Sequence, residues 1–133
     1  MKNIGIAIHG GAGTILKSKM TPEKEAGYKS SLQVALEEGW DILNSGKSSL
    51  DAVERAVEIL ENNPLFNAGK GSVFTHEGKH EMDASIMDGK TLNAGCVSSV
   101  SNIKNPVLLA RMIMEKSGFV YLCGKGAEEF AVI

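Results

Sequence analysis

The sequence has no apolar run long enough to span a bilayer, and it has too few cysteines for a disulfide framework. Its two cysteines, Cys96 and Cys123, lie in apolar, strand-like surroundings, so we expect free, buried thiols in a reducing compartment. The first residues lack the apolar region and cleavage site of a signal peptide, which predicts a cytoplasmic protein. A net charge of −2 gives no electrostatic reason to expect binding to nucleic acid or to a membrane surface.

The composition is that of an ordinary globular protein. Of the 133 residues, 43% are apolar and 23% are charged, and this length predicts one domain over residues 1–133. The chain ends at Ala131-Val132-Ile133, directly after a predicted helix start and without a stop signal. We therefore expect one subunit of a larger assembly.

The patterns along the chain predict an α+β fold. Helices are predicted after Thr21-Pro22, after Ser48 with Asp51 as a capping box, and after Asn105-Pro106. Strands are predicted at residues 4–8, 72–74, 81–87, 92–100 and 119–123, with Asp88-Gly89 as a two-residue hairpin turn. The strands at 72–74, 81–87 and 92–100 indicate an antiparallel meander in the middle of the chain.

Helical spacing also predicts which faces are buried. In the second helix we expect Leu50, Val53, Val57 and Leu60 inside and Glu54, Arg55 and Glu58 in solvent. In the third helix we expect Val107, Leu108 and Met112 inside.

Residues 60–71 form the most informative stretch, because a helix must end before Pro64 and two glycines follow, at Gly69 and Gly71. Its apolar residues favour burial, and an irregular buried loop needs partners for its carbonyl oxygens. Water or a hard cation would satisfy them. From residue types alone, an ordinary surface connection with two apolar residues tucked inward is the favoured interpretation.

A glycine-rich turn, His9-Gly10-Gly11-Ala12-Gly13, follows the first predicted strand. Such a turn lets backbone amides approach a ligand or another chain closely. A phosphate loop is excluded, since no Gly-Lys-Ser/Thr follows and the dinucleotide glycine spacing is absent. Either a structural turn or a site remains compatible with this motif.

Other polar residues give weaker signals. His76 and His80 are four residues apart, but Gly78 between them favours a turn rather than a metal-binding helix. Asp83 and Ser85 share one face of a predicted strand, yet nothing in the histidine spacing places a general base beside Ser85. The residues alone therefore do not define a reaction.

Several separated strings resemble the plant-type asparaginase and isoaspartyl peptidase family of N-terminal-nucleophile hydrolases. The matching strings are His9-Gly10-Gly11-Ala12-Gly13, Leu50-Asp51-Ala52-Val53, Asn63-Pro64-Leu65-Phe66-Asn67-Ala68-Gly69-Lys70-Gly71, Glu81-Met82-Asp83-Ala84-Ser85-Ile86-Met87-Asp88-Gly89, Ala94-Gly95 and Asn105-Pro106-Val107. The resemblance covers essentially the whole chain in one order, and its motifs are specific.

The resemblance implies a four-layer αββα sandwich, completed by a second, β subunit after the precursor cuts itself before a threonine. That threonine would be the nucleophile and its α-amine the base in hydrolysis of L-asparagine and β-aspartyl dipeptides. This chain has no Gly-Thr-Val-Gly string, so it corresponds to the α subunit, inactive without its β partner. An (αβ)2 heterotetramer, no organic cofactor and a structural sodium ion are implied.

The resemblance also implies roles for residues of this chain. Asn67 matches an asparagine beside the nucleophile, and His9, Gly10 and Gly11 match a turn involved in maturation. The sodium ligands would be main-chain oxygens of Leu60, Glu61, Asn63, Phe66, Ala68 and Lys70, a set that suits a hard cation.

Two other functions are compatible with parts of the sequence. A glycosylasparaginase-like amidohydrolase would be expected to show a secretory signal and disulfide-type cysteines. A non-catalytic small-ligand binding module would use the glycine turn and would be a stable monomer with a complete core.

Overall fold

The computed structural model describes residues 3–11 and 17–132, so Ala12 and Gly13 of the predicted turn and the final Ile133 lie outside the described residues. The helices are α1 (Pro22–Asn44), α2 (Ser49–Glu61), α3 (Pro106–Lys116) and α4 (Gly124–Phe130), and short 3-10 turns cover Lys17–Lys19 and Gly69–Gly71. The strands are β1 (Met82–Met87), β2 (Ala94–Val100) and β3 (Tyr121–Cys123). The α+β class is confirmed.

The predicted helix starts are confirmed by their caps. Thr21 accepts a hydrogen bond from the Lys24 amide at 3.2 Å, with Pro22 in the first turn. Ser48 and Asp51 form the complete capping box, each side chain accepting from the other residue's amide. Helices α1 and α2 pack as an antiparallel hairpin around a core of Ala35, Ala56, Leu60 and Phe66.

The three strands form one sheet in the order β1-β2-β3. Strands β1 and β2 pair antiparallel, but β2 and β3 pair parallel, with α3 as the crossover between them. The prediction of an antiparallel meander in the middle of the chain is therefore confirmed for the pair β1–β2, and no pairing had been predicted for β3. Residues 72–74 form no strand, since Phe74 makes only an isolated bridge with His80.

The turn between β1 and β2 also differs from the prediction of a two-residue turn at Asp88-Gly89. Met87 pairs with Ala94, which leaves a six-residue loop at 88–93. The Asp88 carboxylate accepts from the Lys90 amide at 3.0 Å and from the Thr91 hydroxyl at 2.7 Å, and these bonds stabilise the wider loop.

A second core lies between the sheet and α3. It is built from Met82, Ile86, Val97, Val100, Leu109, Ala110, Ile113 and Ala127. Val107 is buried as predicted, whereas Leu108 is 41% exposed because the helix turns Leu109 and Ala110 toward the sheet instead.

Residues 4–8 do not form the predicted strand. Burial alternates along them, with Ile4, Ile6 and Ile8 half-buried and their neighbours exposed, but no strand of the described residues pairs with them. Val53 and Val57 on α2, predicted inside, are 39% and 38% exposed. Conversely, Glu54 was predicted to lie in solvent but is partly buried. Its carboxylate lies 3.3 Å from the Arg111 guanidinium of α3, and burial raises the pKa of Glu54.

The two cysteines are free, as expected, but only in part buried: Cys96 is half-buried and Cys123 is exposed. The prediction of two buried thiols was wrong for Cys123, because that residue lies on the sheet face opposite α3. Across residues 3–11 and 17–132, no helix is long and apolar enough to cross a membrane.

Candidate functional site

The 60–71 loop begins where α2 ends, at Glu61, and is anchored to α1. The Asn63 side chain donates to the Ser31 hydroxyl at 2.7 Å and accepts from the Leu65 amide at 2.9 Å. Leu65 packs over α1 at Gly27, where an added Cβ would lie 3.3 Å from its Cδ1. Phe66 is buried in the core of the helical hairpin and meets Tyr28 edge-on. Leu65 and Phe66 therefore pack the loop onto the helices, while Asn67 and Lys70 remain exposed.

Two glycines give the loop its shape. Gly69 has φ +51, a left-handed conformation that favours glycine, and it packs directly on the Glu61 backbone. Gly71 packs on the carbonyls of Pro64 and Phe66, so that an added Cβ would overlap them. The backbone of residues 69–71 is thereby folded against the carbonyl groups of residues 61–66.

Main-chain oxygens of this loop accept hydrogen bonds from amides within it. The carbonyls of Leu60, Asn63, Phe66 and Ala68 accept amides from Asn63, Phe66, Ala68 and Gly71. Each carbonyl oxygen has a second lone pair, so these bonds leave it able to contact a cation. Within the described part of the chain, the Glu61 and Lys70 carbonyls accept no backbone amide.

The glycine turn lies against the same loop. The Gly11 amide donates to His9 Nδ1 at 3.2 Å, and Gly11 has φ +110. A Cβ at Gly10 would lie 3.0 Å from Leu32 and 3.1 Å from the Phe66 ring. The structure thus brings the two predicted site segments together through Phe66, the residue next to Asn67.

Asn67 is exposed at the rim of a cleft of about 240 Å³. Its Oδ1 accepts from the Val73 amide at 3.0 Å, which leaves Nδ2 as the group that the side chain offers to the cleft. Asp83, at the start of β1, lines the same cleft and accepts from the Ser99 amide at 2.9 Å. Ser85 lies on the same exposed face of β1 as Asp83.

Glu61 contributes a side chain that the sequence reasoning missed, since only its main-chain oxygen was considered. Its carboxylate is 3% exposed and accepts from the Val107 amide at 2.9 Å and from Asn105 Nδ2 at 3.0 Å. Burial raises the pKa of this carboxyl, against the two hydrogen bonds that lower it. No local pattern in the sequence marks this carboxylate, because its two donors lie 44 and 46 residues later.

The predicted turn between His76 and His80 is confirmed. Residues 76–78 form a turn with Gly78 at φ +74, so His76 and His80 share no helix. His80 Nδ1 is 3.0 Å from the Ser72 hydroxyl, and its ring packs on Phe74. Over residues 3–11 and 17–132, no cluster of three His, Cys, Asp or Glu side chains is placed to hold a metal.

Comparison with known proteins gives the family. The protein-family model described as Asparaginase matches residues 1–133. The isoaspartyl peptidase of Salmonella typhimurium is 50% identical over 131 residues, which cover 98% of this chain and 42% of that protein. The plant-type L-asparaginase of Pyrococcus horikoshii is 52% identical over 128 residues, covering 96% of this chain and 40% of that protein. The isoaspartyl peptidase/L-asparaginase of Rattus norvegicus is 50% identical over 126 residues, covering 95% and 37%.

The chain therefore belongs to the asparaginase family, and the resemblance read from its motifs is confirmed. It spans about two fifths of the length of the curated relatives it matches.

Proposed function

We propose that this chain is the α-subunit part of a threonine-type amidohydrolase that hydrolyses β-aspartyl dipeptides and L-asparagine. The observation that carries the proposal is the family match over residues 1–133, together with relatives about half identical that are named isoaspartyl peptidase or plant-type L-asparaginase.

The reaction divides between two segments of one precursor. Self-cleavage before a threonine would free the α-amine of that threonine beside its own hydroxyl. The hydroxyl oxygen would then attack the amide carbon of the substrate's side chain while the α-amine accepts the hydroxyl proton. Ammonia or an amino acid then leaves, and water hydrolyses the acyl-enzyme. The present chain has no Gly-Thr-Val-Gly string, so it supplies the surroundings of that threonine rather than the nucleophile.

Asn67 would lie beside the nucleophilic threonine. Its geometry supports a donor role, because Oδ1 is held by the Val73 amide, which leaves Nδ2 as the donor of a side chain that lines the same cleft as Asp83. A fixed amide donor beside the nucleophile would orient the hydroxyl or the developing oxyanion.

His9, Gly10 and Gly11 would act in maturation. The turn is held by the His9 ring and packs on Phe66, the residue that precedes Asn67 in the sequence. A turn fixed in this way would keep the scissile segment of the precursor beside the groups that cleave it.

The 60–71 loop would bind sodium through the main-chain oxygens of Leu60, Glu61, Asn63, Phe66, Ala68 and Lys70. The donor set fits, because it consists of oxygens alone and because Gly69 and Gly71 let the backbone close on the Glu61 and Phe66 carbonyls. The ion would neutralise converging carbonyl dipoles and so stiffen the segment that holds Asn67.

A β subunit from the same precursor would cover the surfaces left open, giving the four-layer αββα sandwich over the single α-subunit domain of residues 1–133. The face of the sheet opposite α3 exposes Met87 and Tyr121, at 55% and 54%, and residues 4–8 pair with no strand of the described residues. Exposed apolar residues on this otherwise polar sheet face and an unpaired segment favour docking of further strands over a self-sufficient binding module. Doubling of the αβ unit would give the (αβ)2 heterotetramer, and free cysteines favour the cytoplasm.

The test uses the full-length protein. Intact mass should show a second polypeptide whose first residue is threonine, and the mixture should release aspartate from a β-aspartyl dipeptide. Asn67→Ala should lower turnover by about a hundredfold to a thousandfold, the range expected when one oriented oxyanion donor is lost. Asn44→Ala, at the exposed end of α1, is the matched control and should leave turnover unchanged. A single chain without turnover would refute the proposal.

A further inference from the structure

Two polar or charged side chains are buried within the described residues, and they contact each other. Glu61 is 3% exposed and Asn105 is 7% exposed, and Asn105 Nδ2 donates to the Glu61 carboxylate at 3.0 Å. The two residues are 44 positions apart in the sequence and belong to different elements, since Glu61 ends α2 and Asn105 precedes α3. The contact therefore links the helical hairpin to the helix-on-sheet layer.

The same carboxylate caps α3. Its second oxygen accepts the Val107 amide at 2.9 Å, and Val107 is in the first turn of that helix. Asn105 occupies the N-cap position but makes no cap bond within the described part of the chain, because its amide is turned to Glu61. Glu61 thus replaces the usual local cap with a side chain from another element.

Burying this carboxylate carries a cost. Both of its donors are neutral, and within residues 3–11 and 17–132 it has no ion-pair partner. A buried charge is tolerated only when hydrogen bonds and a favourable dipole, here the N-terminus of α3, offset the lost hydration. An apolar residue would fill the same place more simply, so the carboxylate indicates a need for fixed geometry rather than for burial alone.

The backbone of Glu61 contacts the loop that carries Asn67. Gly69 packs on the Glu61 carbonyl, and Gly69 lies two residues after Asn67. Glu61, Asn67 and Asp83 line one cleft. Glu61, which caps α3, therefore also forms part of the wall of the cleft that Asn67 lines.

We propose that Glu61 is a positioning residue: its side chain fixes the N-terminus of α3, its backbone supports Gly69, and together these contacts hold Asn67 in register with Asp83. This inference rests on the proposed function, since Asn67 is the group being positioned. Glu61 itself touches no substrate.

The test exchanges the polarity of the buried pair in the full-length protein. Asn105→Asp places a second carboxylate against Glu61, so the pair repels and the cap is displaced. In the double variant Glu61→Gln/Asn105→Asp, the introduced glutamine still accepts from Val107 and now donates to the introduced aspartate. Glu58→Gln, one turn earlier on α2 and paired with Arg55, is the matched control.

The positioning role predicts a split between kinetic constants. Asn105→Asp should lower kcat for a β-aspartyl dipeptide at least about tenfold at nearly constant KM, since small displacements of a catalytic group carry penalties of this order. The double variant should return kcat to within about threefold, because the pair is coupled and its polarity is restored. Glu58→Gln should match the unmodified protein.

Amide exchange of residues 66–73 supplies a readout that needs no activity. Asn105→Asp should speed exchange there, and the double variant should restore protection. If Asn105→Asp lowers the melting temperature but leaves kcat and exchange unchanged, or if the double variant is no better than Asn105→Asp, the positioning role is wrong. If Asn105→Asp fails to mature, the double variant must mature and turn over normally, or the inference is overturned. An unmodified protein without turnover would refute the proposed function, while exchange would still decide whether Glu61 orders the loop.

Discussion

Replacing Gly69 by alanine should damage the protein for two separable reasons. Gly69 has φ +51, and its Cα faces the end of α2. A Cβ placed there would lie 2.7 Å from Glu61 Cβ and 2.8 Å from the Glu61 carbonyl carbon. Both are distances that real Cβ atoms essentially never show, and the neighbours are backbone or Cβ atoms that cannot swing away.

The magnitude follows from these two contributions. A left-handed conformation costs a non-glycine residue about 1–2 kcal/mol. Forcing an extra carbon into a packed site costs about 1–3 kcal/mol. The loss of flexibility in the unfolded chain returns about 0.4–1 kcal/mol. The free energy of unfolding should therefore fall by about 1–5 kcal/mol, of which the close approach to Glu61 is the larger share.

Gly78 offers the matched control, since it has φ +74 but nothing within 4 Å of the position of an added Cβ. Gly78→Ala should lose only the conformational part, about 1 kcal/mol or less. Urea unfolding of the full-length protein, followed by circular dichroism, measures both variants against the unmodified protein. If Gly69→Ala is no more destabilising than Gly78→Ala, the close packing of the loop on Glu61 is wrong.

Three further predictions concern other parts of the fold. Gly95→Ala should lower the free energy of unfolding by about 1–3 kcal/mol, because the added carbon would overlap the Ala110 carbonyl where β2 packs on α3, and urea unfolding measures this. The Ser48 hydrogen bond, followed by the Arg111 contact, holds the pKa of Asp51 below its ordinary 3.8, so its stabilising contribution is present above that pH and is lost as the pH falls through the folded value. Unfolding curves of Asp51→Asn and the unmodified protein should therefore converge below about pH 3.8, and a constant difference would contradict this. Replacing sodium by a bulky monovalent cation should lower the melting temperature, and no change would argue against a bound ion.

The helices were predictable from sequence because their determinants are local. The signal for the start of α1, Thr21-Pro22, is two residues long. The signal for the start of α2, from Ser48 to Asp51, is four residues long. Each signal acts through hydrogen bonds inside one helical turn, so no distant residue has to be known. The loop around Asn67 was identified for the same reason, since proline and glycine restrict the backbone by themselves.

Features that depend on distant partners were missed. The Glu61 carboxylate finds its cap partner 46 residues later, and no local pattern announces this bond. The parallel pairing of β3 depends on how α3 crosses the sheet, which the order of elements does not fix. At the β1–β2 turn, Asp88-Gly89 has the sequence of a two-residue turn, but the side chain of Asp88 binds two later residues and stabilises a longer loop.

Two errors in the fold have a common physical cause. Burial alternates along residues 4–8 as in a strand, but these residues pair with no strand of the described part of the chain. Val53 and Val57 were predicted to be buried, but each is more than a third exposed. The two features meet in space, since Ile6, Ile8, Val53 and Val57 line one cleft of about 230 Å³. A strand needs hydrogen-bond partners on its edges, and an apolar helix face needs a layer against it. Further strands laid beside residues 4–8 would satisfy both needs at once, so the places where the sequence pattern and the fold disagree are those where the proposed β subunit would dock.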